Sequence, residues 1–205
     1  SVATPAVANF VLDYMYTVDN TLITGLTLHE GIYVDIEYWA WIETGTVSIA
    51  AESYAWITGA ISISDNDITM DYDDGIYLYH YAGVQKSSWI WVDVDVAVDD
   101  NMIQTVDEDT YADEAIYLEN DIEVQCNDYV ITEVGATVDM SWSVTGNMIS
   151  GSEYGIWVYD GLELDDGMSS YQYDVAWDIS GNTLTDLYSS PPFSPARQTY
   201  FTALP

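Results

Sequence analysis

The chain has 205 residues, 49% of them apolar, with 18 Tyr and 8 Trp; it is long enough for a large core and too aromatic for a disordered acidic tail. Its formal charge is −33, because 35 acidic residues face only Lys86 and Arg197. Repulsion excludes nucleic acid and anionic membrane surfaces as partners, and without a run of about 18 apolar residues no transmembrane segment is expected.

Three settings accommodate that charge. High salt shortens the repulsion to a few Å. Divalent cations, calcium above all, neutralise clustered carboxylates. Export to a cell surface uses acidity for solvation. In low salt, self-repulsion opposes compaction.

In chain order, "SVATPAVANF" reads as the start of a mature product after signal cleavage, or as a trimmed end. Residues 1–17 form an apolar, strand-like segment. From residue 18 the chain repeats a pattern in which an alternating run ends at an Asn and a short apolar triplet follows. The Asn residues are Asn20, Asn66, Asn101, Asn147 and Asn182, separated by 46, 35, 46 and 35 residues. The alternation predicts a unit of 81 residues used twice, at 20–100 and 101–181. Other landmarks agree: "GIYV" (31–34) matches "AIYL" (115–118), and "GIYL" (75–78) matches "GIWV" (155–158).

Period-two alternation in "WIWVDVDVAV" and "ATVDMSWSVTG" marks strands. Asp-Asn, Gly-Asn and Asp-Gly punctuate them as turns. No 11-residue window has a helical period. The predicted class is all-β, a parallel β-solenoid over 18–188 with long excursions. "EYWAWIETGTVSIAAESYAWITG" (37–59) reads as one excursion, a hairpin. At each corner the Asn is expected to take the left-handed conformation and to hydrogen-bond the Asn of the next coil. Ile of each Gly-Ile-Tyr should point inward. Residues 189–205, with "PPFSP", read as an extended arm.

Asn-x-Ile followed by Gly-Ile-Tyr/Trp-Val/Leu resembles the right-handed parallel β-helix repeat, the family of pectate-lyase-like enzymes and of many surface proteins, notably of methanogenic archaea. The resemblance covers about 18–188 and implies stacked coils. Coils in that family are shorter than these steps, so the resemblance implies excursions or doubled coils here.

Lyases of that family use an Arg or Lys as base. Lys86 lies in the turn "VQKSS" and Arg197 in the C-terminal arm, neither at a catalytic strand position. The hydrolase pattern of Asp residues near a His would fall on Asp71, Asp73, Asp74 and His80, in a chain where such proximity arises by abundance alone. His29 and His80 read as wall or surface histidines. Asp71, Asp73, Asp74, Asp99, Asp100, Asp165 and Asp166 lie in turns where oxygen ligands for calcium can converge. Trp39, Trp41, Trp56, Trp89 and Trp91 alternate, as a sugar-binding face, a packed wall or an interface would. Cys126 is the single cysteine, buried or bridging two subunits.

No capping helix is expected at either end, so edge strands would be left to pair with other molecules. The expected role is a non-enzymatic structural subunit of an extracellular layer, tube, sheath or filament. Its partners would be copies of itself, with cell-surface polysaccharide as a second candidate. The competing expectation is a carbohydrate-binding or carbohydrate-active β-helix.

Overall fold

The computed structural model describes residues 7–24, 30–41, 52–70, 74–85, 89–105, 114–125, 135–164, 170–187 and 193–201. Among the described residues all regular structure is β, and fifteen strands wind into five coils of three. The first coil holds β1 (Val7–Asp19), β2 (Leu22–Thr24) and β3 (Glu30–Trp41). The second holds β4 (Glu52–Ser64), β5 (Asp67–Met70) and β6 (Asp74–Gln85). The third holds β7 (Trp89–Asp99), β8 (Met102–Thr105) and β9 (Glu114–Gln125). The fourth holds β10 (Gly135–Thr145), β11 (Met148–Ser150) and β12 (Tyr154–Leu164), and the fifth β13 (Ser170–Ser180), β14 (Thr183–Thr185) and β15 (Phe193–Phe201).

Strands stack coil on coil into three sheets, ordered β1-β4-β7-β10-β13, β2-β5-β8-β11-β14 and β3-β6-β9-β12-β15. Every pairing is parallel. The chain is an all-β parallel solenoid.

Alternation explains the core. In β7 the even positions Ile90, Val92, Val94, Val96 and Val98 are buried, and Asp93 and Asp95 between them face solvent. Register then stacks like on like: Ile63, Val98 and Val144 form one interior row, Ile68, Ile103 and Ile149 a second, and Ile76, Ile116 and Ile156 a third. All nine are buried, and each contributes about 1.5–3 kcal/mol of transfer free energy. β-branched side chains suit such rows, because their restricted χ1 already matches the pleated wall.

Each step of the repeat is one coil, so the 81-residue unit spans two successive coils. Along the corner after the first sheet the coil steps are 45, 35, 46 and 35 residues. Long steps come from long connections: coils one and three contain 42–51 and 106–113 together with 126–134, and coils two and four contain 71–73, 86–88, 151–153 and 165–169. Strands of 11–13 residues supply the rest of each step, so no doubling of coils is needed.

Three sequence expectations change. The segment 37–59 is not a hairpin: β3 pairs with β6 on the third sheet, whereas β4 pairs with β1 and β7 on the first. The boundary expected between 17 and 18 falls inside β1, whose 13 residues all pair with β4. The expected free arm contains β15, which lies in register on β12 from Phe193 to Phe201. Pro195 is accommodated because β15 is an edge strand.

Candidate functional site

The corner between the first two sheets is built from a dipeptide. Its first residue is left-handed: Asn20 (φ 51), Asp65 (φ 56), Asp100 (φ 57), Gly146 (φ 69) and Gly181 (φ 67). Asp, Asn and Gly are the residues that tolerate this region. The second residue is the one that bonds between coils. Asn101 accepts at Oδ1 from the Asn66 backbone N–H (3.1 Å) and from Asn66 Nδ2 (2.8 Å). Its own Nδ2 donates to the Ile63 carbonyl (2.9 Å) and to Asn147 Oδ1 (3.0 Å). Asn147 repeats this with Val98 and Asn182, both at distances below 3 Å. All four valences of these buried amides are satisfied.

Asn20 is placed differently from the other four. Register sets Asp19 opposite Ser64, so Asn20 is level with Asp65, and Thr21 holds the ladder position. The Thr21 N–H donates to Asn66 Oδ1 (3.1 Å). The left-handed role therefore belongs to Asp65, Asp100, Gly146 and Gly181, and Asn66, Asn101, Asn147 and Asn182 are the bonding partners.

A second polar row runs inside the third sheet. His80, Asn120 and Asp160 point into the core on successive coils and are all buried. His80 Nδ1 lies 2.9 Å from Asn120 Oδ1, and Asn120 Nδ2 donates to Asp160 Oδ1 at 2.9 Å. Because Asn120 turns its amide nitrogen toward the carboxyl, its oxygen faces the ring, and His80 Nδ1 carries the proton. The Tyr173 hydroxyl closes the row, donating to Asp160 Oδ1 and accepting from Asn120 Nδ2 at 3.2 Å. Backbone register brings Arg197 of β15 opposite Asp160. Burial lowers the His80 pKa to about 4, against a smaller opposing effect of the Asn120 hydrogen bond. Tyr38 packs edge-on against the ring at 5.9 Å.

Outside, aromatic side chains stack at the spacing of the coils. On the third sheet Tyr33, Tyr77 and Tyr117 stack at 5.1 and 5.0 Å. Trp56 and Trp91 on the first sheet stack at 4.8 Å, 2° from parallel. Within these stacks each ring covers a face of its neighbour, whereas a sugar-binding platform presents a ring face; Tyr33, at the start of its row, is 53% exposed. Trp39 and Trp41 lie on β3, one sheet away from Trp56, Trp89 and Trp91 on β4 and β7, so the five do not form one face.

Carboxylates crowd the outer face of the third sheet. Asp121 is raised to about 6, first by partial burial and then by repulsion from Glu119, Glu123 and Glu163. Tyr117 donates to Glu119 Oε2 at 2.9 Å and Tyr81 to Glu123 Oε2.

Of the acidic residues singled out in the sequence, Asp74, Asp99 and Asp100 lie among the described residues. Asp74 Oδ1 accepts the Glu114 N–H at 3.1 Å. Asp99 Oδ1 accepts from Thr145 N–H (2.9 Å), Thr145 Oγ1 (2.8 Å) and Ser143 Oγ (3.0 Å), as a staple between coils. Asp100 is a left-handed corner residue. Among the described residues no three His, Cys, Asp or Glu side chains are grouped as a metal site. Asp71, Asp73, Asp165, Asp166, Cys126, His29 and Lys86 lie outside the described residues. His80 faces the interior, not Asp74 and solvent as the hydrolase pattern would need. The row it belongs to was missed in the sequence, although a signal existed. His80, Asn120 and Asp160 each stand four residues after the Ile of a Gly/Ala-Ile-Tyr/Trp landmark.

No protein-family model matches the chain, and neither does any curated protein or solved structure. What defines it is the architecture, a parallel β-solenoid of five coils closed laterally by an asparagine ladder and an interior polar row. Among the described residues no helix is long and apolar enough to cross a membrane.

Proposed function

We propose that the chain is a non-enzymatic structural subunit of an extracellular self-assembling layer, tube, sheath or filament. The functional analogy is to surface proteins of the β-helix kind, as in methanogenic archaea. One observation carries this reading. Both ends of the solenoid leave interior side chains half-covered. At the first coil these are Tyr14, Val18, Ile23, Ile36 and Tyr38, and at the last Tyr173, Val175, Trp177, Ile179 and Leu184. Exposed apolar groups add to the first rim, with Val11 71%, Met15 83% and Leu22 69% accessible. Edge strands with apolar flanks are templates for pairing, and repeat arrays need covered ends to stay dispersed.

The carbohydrate-binding alternative lacks comparable support, because the stacked outer rings cover one another's faces. The hydrogen bonds by which Asp74 and Asp99 join neighbouring coils likewise favour a scaffold role.

Charge sets the conditions. Subunits of −33 repel one another until screened. The purified chain is expected to remain small at about 20 mM salt, and to form regular polymers at about 1 M NaCl, where the screening length is about 3 Å. Sedimentation velocity and negative-stain imaging check this. A 22.9 kDa monomer across the whole salt range, with millimolar calcium included, would overturn the assignment.

A further inference from the structure

The two rims match each other row by row, and this deepens the self-assembly reading on which it rests. We propose that one copy seats its first coil on the last coil of a second copy, head to tail, continuing the first and second sheets. In this seam Ser180 of one copy pairs with Asp19 of the next.

The corner shows why the direction and register are fixed. Four times within the chain a left-handed residue donates its N–H to the strand end of the following coil: Asn20 to Ser64, Asp65 to Asp99, Asp100 to Thr145 and Gly146 to Ser180. The next bond in that series runs from Gly181 to Asp19 of a second copy. Four times the residue after the ladder position donates back: Asp67 to Thr21, Met102 to Asn66, Met148 to Asn101 and Thr183 to Asn147. The continuation runs from Leu22 of the second copy to the Asn182 carbonyl. The amide ladder also has an acceptor waiting. Asn66, Asn101 and Asn147 each donate backbone N–H and Nδ2 to the next Oδ1. Asn182 would donate the same two hydrogens to Thr21, whose Oγ1 donates to the Asp19 carbonyl and keeps its lone pairs free. Thr at this position therefore works on the first coil as a receptor for the last.

Side-chain rows agree. Trp177 stacks on Trp142 at 4.6 Å, and the same row begins at Tyr16, which is 40% exposed. Seating would bring Tyr16 onto the open side of Trp177. The neighbouring rows would pair Ile179 with Val18, Val175 with Tyr14 and Leu184 with Ile23, every one an apolar contact. The short strands of the corner sheet are also equal at the two ends, three residues in β2 and three in β14.

Paired cysteines test the register directly. Adjacent parallel strands lie about 4.8 Å apart, within disulfide reach. In a Cys126→Ser background, Asp19→Cys with Ser180→Cys places exposed thiols on opposite rims, and Thr17→Cys with Asp178→Cys does so one row pair away. Under polymer-forming salt and mild oxidation, both pairs should give ladders of covalent multimers that collapse on reduction. Asp19→Cys with Asp174→Cys, six residues out of register, should stay monomeric on the same gel. Polymers without cross-links in either matched pair would overturn the seam and leave self-assembly standing. Cross-linked dimers from Asp19→Cys alone would show rim meeting like rim, which also overturns it. Absence of any polymer removes the seam together with the functional reading.

Discussion

Replacing Asn101 with Ala should destabilise the solenoid by about 4 kcal/mol, near the top of what a single substitution does. The side chain is buried, 1% exposed, and makes four hydrogen bonds to three residues on two neighbouring coils. Removing it strands the Asn66 N–H and the Ile63 carbonyl in a dry corner and takes one of two donors from Asn147 Oδ1, and each orphaned group costs about 1–3 kcal/mol. Asn101→Asp should be no better, because a carboxylate cannot donate to Ile63 or Asn147 and would face their oxygens. Asn20→Gly should change stability by less than about 0.5 kcal/mol, since the position is exposed and left-handed and glycine adopts that region freely. Urea unfolding followed by far-ultraviolet circular dichroism, in about 1 M salt, measures both. Equal losses for Asn20→Gly and Asn101→Ala would contradict the ladder.

That pair of substitutions also shows where the sequence stopped being readable. The recurring Asn was visible because a corner needs a short polar residue once per coil. The stacked Ile of Gly-Ile-Tyr was visible because an interior row needs one branched side chain per coil. The one-residue displacement at Asn20 was not visible. Its distance to Asn66 equals the distance from Asn101 to Asn147, so spacing alone made the five look equivalent. Only the pairing of Asp19 with Ser64 separates a left-handed residue from a bonding one. The hairpin at 37–59 failed for a similar reason. Two alternating runs joined by turn residues pair with each other or with neighbouring coils, and local pattern does not choose between them. The interior row was legible once the landmark was chosen correctly. Aligned on the Gly/Ala-Ile dipeptide, "GIYLYHY", "AIYLEND" and "GIWVYDG" put His80, Asn120 and Asp160 in one column. β15 escaped, because "PPFSPARQTYF" carries no landmark and its place depends on the exposed edge of β12.

The row containing His80 should make the fold acid-sensitive in a defined window. The folded pKa is lowered to about 4 from 6.5, chiefly by desolvation. Between those values the unfolded chain binds the proton and the folded chain does not, so stability falls as pH drops. The contribution is complete above about pH 6.5 and amounts to about 3 kcal/mol lost by about pH 4. Asp121 works in the opposite sense. Its folded pKa is raised from 3.8 to about 6, so the folded state holds that proton longer and Asp121 favours the fold as pH falls through the same range. His80 should dominate, because it is fully buried and Asp121 is partly solvated, where screening reduces the effect. Salt reduces the Asp121 effect without removing it: repulsion from Glu119, Glu123 and Glu163 weakens at about 1 M, whereas the burial of Asp121, its largest cause, and the burial cost of imidazolium do not. His80→Asn isolates the histidine. Asparagine does not titrate, and it keeps a donor toward Asn120 Oδ1 in the manner of the corner ladder. Wild type should lose stability steeply from pH 6.5 to 4 in high salt, and His80→Asn should lose none there, with Asp121 tilting its curve slightly the other way. Parallel curves for the two proteins would show that the buried ring is not the group that titrates.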